Sequence, residues 1–288
     1  MKRLKILLKD LYQIWRIADK RTFFTYLVNI ARCVPEILRT KTLQSANERM
    51  KGTICRFALP GHNTVMLDGK FFGIAKELYC RGIYFTIPGF QINSSDCVVD
   101  LGAQVGTFTT LAAVCGRKVI SVEAQSGFLP LIESNLRHNN CFEKVNLEWG
   151  LVGAESGLFS NPITRREASH YLKEPPILSL ADLFAKYRLD QVDFLKVDIE
   201  GSEFSLFSGD LSWLKVVRRI ALEVHFEFGD AAALARVLES AGFEVWLVNN
   251  DQRVVEAFDQ GNGTGSGYIF AKRKTVGSAS NLCAEFAA

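Results

Sequence analysis

The chain has 288 residues, of which 48% are hydrophobic and 23% charged, a composition typical of a soluble enzyme. This length can bury one large core, with or without an extension. The formal net charge of +3 is too small to indicate a nucleic-acid-binding protein, so we expect no nucleic-acid partner. The seven cysteines are scattered without a CxxC pair, which argues against zinc-ribbon and thioredoxin folds and favours a reducing, cytoplasmic location.

The first 45 residues are expected to be helical, because apolar residues recur at three-to-four spacing: Leu4, Leu7, Leu8, Leu11, Ile14, Trp15 and Ala18. Residues 1–41 hold ten Lys or Arg against three acids, so this segment carries +7 and the rest of the chain −4. One interpretation is a helix that docks on a membrane surface or a partner. The favoured one is a helix packed on its own domain with a solvated basic face. Neither a signal peptide nor a membrane span is expected.

The chain divides into three regions. Residues 52–92 contain short extended runs separated by glycines, so we assign residues 1–92 to an N-terminal helical segment and a small β-rich lead-in. From Cys97 onward strand-like and helix-like segments alternate. This pattern predicts an α/β domain over residues 93–273, with a mostly parallel sheet and helices on both faces. Residues 274–288 are expected to form a flexible tail.

The segment CVVDLGAQVGTF ends a predicted strand at Asp100 and continues into a loop that contains Gly102 and Gly106. Ligands of parallel sheets bind beyond the carboxyl ends of the strands, so this loop is a candidate binding loop. Gln104 and Thr107 stand where a dinucleotide fingerprint would need its second and third glycines. Asp100 would also repel a pyrophosphate. The alternative interpretation is a strand-to-helix turn with structural glycines.

The acid suits S-adenosylmethionine (SAM), which has no phosphate and carries a cationic ammonium and a cationic sulfonium. Asp100 would help to hold the ammonium, and the glycines would let the backbone approach the ligand. Glu123 ends the next predicted strand and suits a bidentate contact with the ribose hydroxyls, a feature shared with NAD enzymes. The predicted cofactor-binding residues are Asp100, Gly102, Ala103, Gln104, Gly106, Thr107 and Glu123.

A second informative stretch, VDFLKVDIEGSEFSLFSG, places Asp198 at the end of another strand. Glu200 and Glu203 follow three residues apart in the first turn of a predicted helix, so they share a face. Carboxylates this close repel each other, which tends to raise a pKa. Acids that merely favour the helix dipole are the ordinary alternative. We predict catalytic roles for Asp198 and Glu200 and an acceptor contact for Glu203.

His225 ends the next strand, IALEVHF, and is a candidate general base near neutral pH. A lone histidine is more often structural. His225 and Asp198 rank together ahead of Glu200 as the base. A metal site that adds Glu223 and Glu227 is conceivable, but no established ligand spacing is present, so no metal is expected.

The stretch SNPITRREASHYLKEPP lacks hydrophobic periodicity and lies between two predicted strands. Long unpatterned connections in compact domains are often functional. We expect this stretch to form part of the acceptor wall or a lid, with Arg165 and His170 as acceptor contacts.

Six segments together resemble the FkbM family of SAM-dependent methyltransferases: VVDLGAQVGTF, VISVEAQ, ESNLRHNN, ILSLADLF, VDFLKVDIEGSEFSLFSG and IALEVH. The resemblance extends roughly from Gly82 to Val248. It implies a Rossmann-like class I methyltransferase fold with a seven-stranded sheet and an antiparallel final hairpin, and SAM as the cofactor. The matching positions are Asp100, Gly102, Gln104, Gly106 and Glu123 for the cofactor, and Asp198, Glu200 and Glu203 for the acidic block.

The resemblance also implies methylation of a hydroxyl on a natural product or glycan, so the expected partner is a small-molecule or glycan acceptor. N-methylation of a small molecule or a peptide side chain is the first alternative. An NAD(P)-linked oxidoreductase or a non-catalytic binding module is a weaker one. Peripheral membrane contact through the basic N-terminal helix and the oligomeric state stay open. Residues 1–20 are expected to be dispensable for cofactor binding.

Overall fold

The structure is a computed structural model that describes residues 2–59, 61, 63–153, 172–259 and 263–274, with side chains from Leu7 onward. Its strands, in chain order, are β1 (Ile54–Leu59), β2 (Asn63–Asp68), β3 (Cys97–Leu101), β4 (Lys118–Glu123), β5 (Val145–Trp149), β6 (Leu151–Val152), β7 (Ile177–Leu178), β8 (Phe194–Val197), β9 (Arg219–His225), β10 (Phe243–Val248), β11 (Val254–Val255) and β12 (Ser266–Arg273). Eight of these strands form the main sheet, in the order β11-β10-β12-β9-β8-β3-β4-β5.

The main sheet is parallel from β9 through β8, β3 and β4 to β5, and antiparallel from β9 through β12 and β10 to β11. The predicted class I methyltransferase sheet with its antiparallel final hairpin is confirmed, and the two-residue β11 adds an edge strand to the seven expected ones. Strand order reverses at β3, which lies between β4 and β8. Ligands bind at such a switch point in open α/β sheets.

The helices are α1 (Lys2–Ile17), α2 (Lys20–Arg32), α3 (Val34–Thr40), α4 (Gln44–Glu48), α5 (Phe72–Ala75), α6 (Thr107–Cys115), α7 (Leu129–His138), α8 (Leu180–Lys186), α9 (Glu203–Leu206) and α10 (Ala231–Ser240). They cover both faces of the sheet and create two cores. Val98 packs into the core that contains α6 and α7, whereas Val99 packs into the core that contains α8 and α10. All five residues of β3 are therefore buried, as expected for a strand covered on both faces.

The N-terminal region shares a core with the sheet. Ile14 of α1, Tyr26 of α2 and Phe57 of the β1–β2 hairpin are fully buried in the same apolar cluster as α6 and α7. Helix α1 therefore packs on its own chain, as the favoured interpretation of its apolar spacing predicted. Among the described helices, none is both long and apolar enough to cross a membrane. In the expected tail, residues 275–288 lie outside the described part of the chain.

Candidate cofactor cleft and acid–histidine cluster

A cleft lies at the carboxyl ends of β3, β4 and β8, where the strand order reverses. The charged side chains among its described lining residues are all acids: Glu123, Asp198 and Glu200. An acidic wall attracts a cation and repels a pyrophosphate, so this wall fits the sulfonium and ammonium of SAM better than a dinucleotide. The lining consists of Leu101, Gly102, Gln104, Val122, Glu123, Ala124, Gln125, Gly150, Leu151, Val152, Asp198, Ile199, Glu200 and Ser202.

The loop after β3 is held against the end of β8. Gly102 has a φ of +77°, and a Cβ atom at this position would lie 1.7 Å from the backbone oxygen of Asp198. Gly106 has a φ of +79°, and its Cβ would lie 3.0 Å from Ile132 of α7. Both positions therefore need glycine for packing within the protein, in addition to any approach of the cofactor. The packing agrees with the structural-turn interpretation. Gly102 also lines the cleft, as the binding-loop interpretation requires, and its contact with a cofactor stays a prediction.

Asp100 lies behind the cleft rather than on its lining. Its carboxylate is fully buried, accepts a hydrogen bond from Thr109 Oγ1 at 2.6 Å and lies 3.2 Å from the Lys196 ammonium. Lys196 of β8 is paired with Asp100 in the register of the two neighbouring parallel strands, which brings the two charges together. In this position the carboxylate contacts Lys196 and supports the loop from behind, and its contact with a cofactor ammonium stays a prediction.

Lys196 is a site residue whose role the sequence did not predict. Its ammonium donates to the backbone oxygens of Leu101 and Gly102, at 3.2 and 2.6 Å, and lies 3.7 Å from Asp198. Burial lowers the pKa of Lys196, but the charges of Asp100 and Asp198 outweigh burial and the pKa is raised. A buried cation therefore ties the cofactor loop to both strand-end acids. The sequence signal was its alternation with Asp198 along one strand.

Glu123 lies on the cleft wall at the end of β4. Its two carboxylate oxygens accept hydrogen bonds from the backbone N–H groups of Gln104 and Gln125, at 2.6 and 2.7 Å. Burial raises the pKa of Glu123 to about 7, although both hydrogen bonds oppose the change. Each oxygen retains a lone pair, so the carboxylate can accept two further hydrogen bonds, as the predicted ribose contact requires.

The other predicted cofactor residues divide between the lining and the protein interior. Gln104 lines the cleft and has a φ of +51°, the left-handed region that non-glycine residues rarely adopt. Ala103, Gly106 and Thr107 are absent from the lining, and Ala103 and Thr107 are buried. The Thr107 backbone oxygen accepts a hydrogen bond from Tyr79 at 2.7 Å. These three residues shape the loop from behind.

His225 connects two acids beside the cleft. Its Nδ1 lies 3.1 Å from Glu203 Oε1, and its Nε2 lies 3.4 Å from Glu200 Oε2. Burial lowers the pKa of His225, but the hydrogen bond to Glu203 and the charges of Glu203, Asp198 and Glu200 raise it to about 9. The imidazole is therefore protonated near neutral pH, which differs from the expectation of a base that titrates there.

Glu203 and Glu200 occupy contrasting environments. The Glu203 side chain is fully buried, and its Oε1 also accepts the backbone N–H of Ile199. It therefore positions His225. The predicted contact with an acceptor stays a prediction, although this side chain has no exposed surface. Glu200 has a half-exposed side chain on the cleft wall and a φ of +54°. Burial, followed by repulsion from Asp198, raises the pKa of Glu200.

Two further side chains complete what we call the acid–histidine cluster, which consists of Asp198, Glu200, Glu203, Glu223, His225 and Tyr84. Tyr84 donates its hydroxyl to Asp198 at 2.9 Å and lies 3.4 Å from Glu223. Burial raises the pKa of Glu223, and Ser266 donates to its other oxygen at 2.9 Å. Sequence reasoning missed Tyr84 because it lies in the lead-in, 114 residues before its partner.

Ligand atoms of Asp198, Glu200 and His225 lie within 4.8 Å of one another, so this part of the cluster could hold a cation. The Lys196 ammonium, 3.7 Å from Asp198, already places one positive charge beside these acids. Neither of the two further conceivable ligands, Glu223 and Glu227, belongs to this group, and Glu227 is exposed. Two predicted acceptor contacts, Arg165 and His170, lie outside the described residues.

A mostly parallel sheet with an antiparallel end, an acid-lined cleft at its switch point and an acid–histidine cluster beside that cleft define a class I methyltransferase. The model of the family described as Methyltransferase FkbM domain matches residues 100–245, half of the chain. The chain therefore belongs to the FkbM methyltransferase family, and it is a SAM-dependent methyltransferase.

Solved structures with a similar fold have low sequence identity. An rRNA methylase from Streptococcus thermophilus is 12% identical with a TM-score of 0.41, over 69% of this chain and 96% of that one. A precorrin-6y C5,15-methyltransferase from Geobacter metallireducens is 16% identical with a TM-score of 0.38, over 68% of this chain and 87% of that one. No curated protein sequence matches the chain significantly. These similarities say nothing about the acceptor.

Proposed function

We propose that the enzyme methylates a hydroxyl group of a small molecule or glycan. The observation that supports this proposal is the cluster of proton-accepting groups beside the cleft, with Asp198 and Glu200 on the cleft wall itself. A neutral alcohol must lose its proton as its oxygen is methylated, so O-methylation needs a positioned base. A neutral amine is a stronger nucleophile and can lose its proton to water afterwards. The cluster therefore favours oxygen over nitrogen as the methylated atom.

Within the cluster, Glu200 is our choice for the proton acceptor. Its side chain is half exposed on the wall, and its raised pKa makes it a better base than an ordinary glutamate. Its φ of +54° is costly for a residue other than glycine, and such conformations concentrate at functional sites. Asp198 is less available, because Tyr84 already donates to its carboxylate and Lys196 lies 3.7 Å away.

The remaining groups would orient Glu200 and balance its charge. His225 faces Glu200 through Nε2 and is held in that orientation by Glu203 through Nδ1. SAM, when bound, supplies an electrophilic methyl group on a sulfonium. The acids of the cleft wall would favour that cationic group, while Glu123 would hold the ribose. Alignment of the acceptor oxygen with the methyl group is the main contribution of the site to rate.

The test uses radiolabelled SAM and pairs of acceptors that carry a hydroxyl or an amine at the same position of one scaffold. Methyl transfer to the hydroxyl member, located by mass spectrometry and NMR, is the expected result. Glu200→Gln should lower turnover about a hundredfold or more, the usual scale for a positioned base. Its SAM affinity, measured by calorimetry, should stay within about tenfold.

The matched control is Glu256→Gln, which neutralises an exposed acid away from the cleft and should leave turnover unchanged. Transfer only to the amine members would overturn O-methylation in favour of N-methylation. Turnover of Glu200→Gln close to that of the wild type would remove Glu200 as the base and return the role to Asp198. Tight NADH binding without SAM binding would contradict the cofactor assignment.

A further inference from the structure

The first three helices expose an unusual number of large apolar side chains. We call them the N-terminal apolar face: Leu8, Tyr12, Trp15, Phe24, Val28, Val34 and Leu38. In the described part of the chain only four other large apolar side chains are exposed, and these are dispersed: Ile54, Leu172, Ile177 and Val254. A concentration of this kind on a soluble domain marks an interaction surface, whereas single exposed apolar residues need no explanation.

Part of this face is continuous from α1 to α2. Leu8, Tyr12 and Trp15 are spaced four and three residues apart on α1, so they form one stripe, while the buried Ile14 points to the core. The rings of Trp15 and Phe24 lie 6.3 Å apart, which joins α1 to α2. On another side of α1, Leu7, which is not part of the face, lines one groove with Leu38 of α3. Helix α1 therefore has a second apolar stripe whose side chains stay about half exposed.

The same helices and their ends carry exposed cations: Lys9, Arg16, Lys20, Arg21, Arg32, Arg39 and Lys41. Nearby acids do little to neutralise them. Asp10 is buried and paired with Arg81, and Asp19 caps α2 by accepting the backbone N–H of Thr22. Glu36 is exposed, and residues 1–41 keep a net charge of +7. Arg16 also lies over the ring of Tyr12, at 5.8 Å.

We propose that the N-terminal apolar face binds the surface of an anionic lipid bilayer. Exposed Trp, Tyr, Phe and Leu side chains on helices rich in Lys and Arg are the composition that partitions at the boundary between headgroups and acyl chains. The aromatic and aliphatic side chains would enter that boundary, and the cations of the same helices would contact lipid phosphates. A second copy of the chain is disfavoured as the occupant, since it would bring one strongly basic face against another. This proposal does not depend on which acceptor is methylated.

The experiment is co-sedimentation of the full chain with vesicles of phosphatidylcholine alone or mixed with phosphatidylglycerol. We expect binding to the anionic vesicles that weakens as salt is raised, and little binding to phosphatidylcholine alone. The double variant Leu8→Ser/Tyr12→Ser should bind about tenfold less tightly or worse, because both side chains are more than half exposed and available to the bilayer. Ile177→Ser/Val254→Ser is its control, because these side chains are similarly exposed elsewhere and should not affect binding.

Charge reversal provides a second, independent test of lipid binding. Lys9→Glu/Arg21→Glu should lose binding to anionic vesicles, whereas Lys215→Glu/Lys272→Glu, which reverses the same charge on other surfaces, should keep most of it. All variants should retain the circular dichroism and the SAM affinity of the wild type, since the altered side chains are exposed. Sedimentation velocity of each variant reports self-association.

Three results would overturn the proposal. The first is absence of binding to anionic vesicles at low salt. The second is wild-type binding by both Leu8→Ser/Tyr12→Ser and Lys9→Glu/Arg21→Glu, which would place any lipid contact elsewhere. The third is a wild-type dimer that Leu8→Ser/Tyr12→Ser converts to a monomer, because the face would then be covered by a second copy.

Discussion

At the scale of single residues, the site depends on charges that satisfy one another across strand ends. Lys196 is held between Asp100 and Asp198 while it donates to the backbone of the cofactor loop. His225 is held in the same way between Glu203 and Glu200. In each set of three groups, a buried acid holds a cation, and the cation faces an acid on the cleft wall. The protonation state of one group therefore controls the geometry of the next.

Glu203→Gln should lower the pKa of His225, because it removes the charge that most directly stabilises the imidazolium. NMR titration of the histidine ring protons should show a pKa of about 9 in the wild type and a value closer to 6.5 in the variant. Glu227→Gln is the control, since that acid is exposed and outside the cluster. An unchanged pKa in Glu203→Gln would contradict the contact.

The contact between Glu203 and His225 also affects the stability of the protein in a defined pH range. The pKa of His225 is higher in the folded protein than its ordinary value of 6.5, so folding favours the protonated form. This contribution to stability is fully present below 6.5 and is lost as the pH rises through about 9. Chemical denaturation should therefore show that the free energy of unfolding of the wild type falls as the pH rises across this range. The fall should be smaller in Glu203→Gln. Parallel profiles for the two proteins would contradict the linkage.

Cofactor affinity should depend on the ionisation of Glu123. Its pKa is raised to about 7, so the carboxyl group is largely protonated below that pH and accepts hydrogen bonds from ribose less well. SAM affinity measured by calorimetry should rise up to about tenfold between roughly pH 6 and pH 8. Glu123→Ala should bind SAM more weakly and lose this pH dependence. A wild-type affinity that is flat across this range would contradict the ribose assignment.

At the scale of structural elements, the site depends on how closely two strand-end loops approach. Gly102 after β3 lies against the backbone oxygen of Asp198 after β8, and the backbone N–H of Asp198 donates to Leu101. The loops therefore move together, and the cofactor loop cannot be displaced without disturbing the acidic block. This contact is possible only because β3 and β8 are neighbours in the sheet.

Gly102→Ala should abolish measurable SAM binding, because the added methyl group would lie 1.7 Å from the Asp198 oxygen and the φ of +77° is strained for alanine. The expected loss of stability is about 1 to 3 kcal/mol. Gly209→Ala is the control, as nothing lies within 4 Å of the position that its added methyl group would occupy. Calorimetry and thermal unfolding separate loss of binding from loss of fold. Wild-type SAM affinity in Gly102→Ala would show that the loop can open independently of Asp198.

At the scale of the whole molecule, the sequence predicted which residues end strands but not which strands are neighbours. Alternating apolar segments located β3, β4, β8 and β9, and with them Asp100, Glu123, Asp198 and His225. The partners of these residues depend on strand order and on chain paths that periodicity does not encode. Asp100 pairs with Lys196 for that reason, and Tyr84 reaches Asp198 from the lead-in. The burial of Glu203 beneath His225 likewise depends on packing.

Helix α1 is joined to the segment Lys76–Arg81 through the buried carboxylate of Asp10. Asp10 of α1 is 5% exposed, accepts two hydrogen bonds from Arg81 at 3.1 and 2.7 Å and lies 3.7 Å from the buried Lys76. Arg81 is three residues before Tyr84, which donates to Asp198. The expectation that residues 1–20 are dispensable treated α1 as separate from the fold. These contacts join α1 to the chain segment before Tyr84, and the dispensability of residues 1–20 stays a prediction.

Asp10→Asn should therefore destabilise the whole protein. It leaves Lys76 and Arg81 without their buried counter-charge, and breaking such a pair typically costs about 3 to 5 kcal/mol. Differential scanning calorimetry should show a Tm that is lower by roughly 6 °C or more. Asp190→Asn, which neutralises an exposed acid, should leave the Tm unchanged. Lys76→Met in the Asp10→Asn background should recover part of the loss, because it removes the unpaired buried charge. If Asp10→Asn melted within about 1 °C of the wild type, α1 would contribute little to the fold, and removal of residues 1–20 would then be expected to leave SAM binding intact.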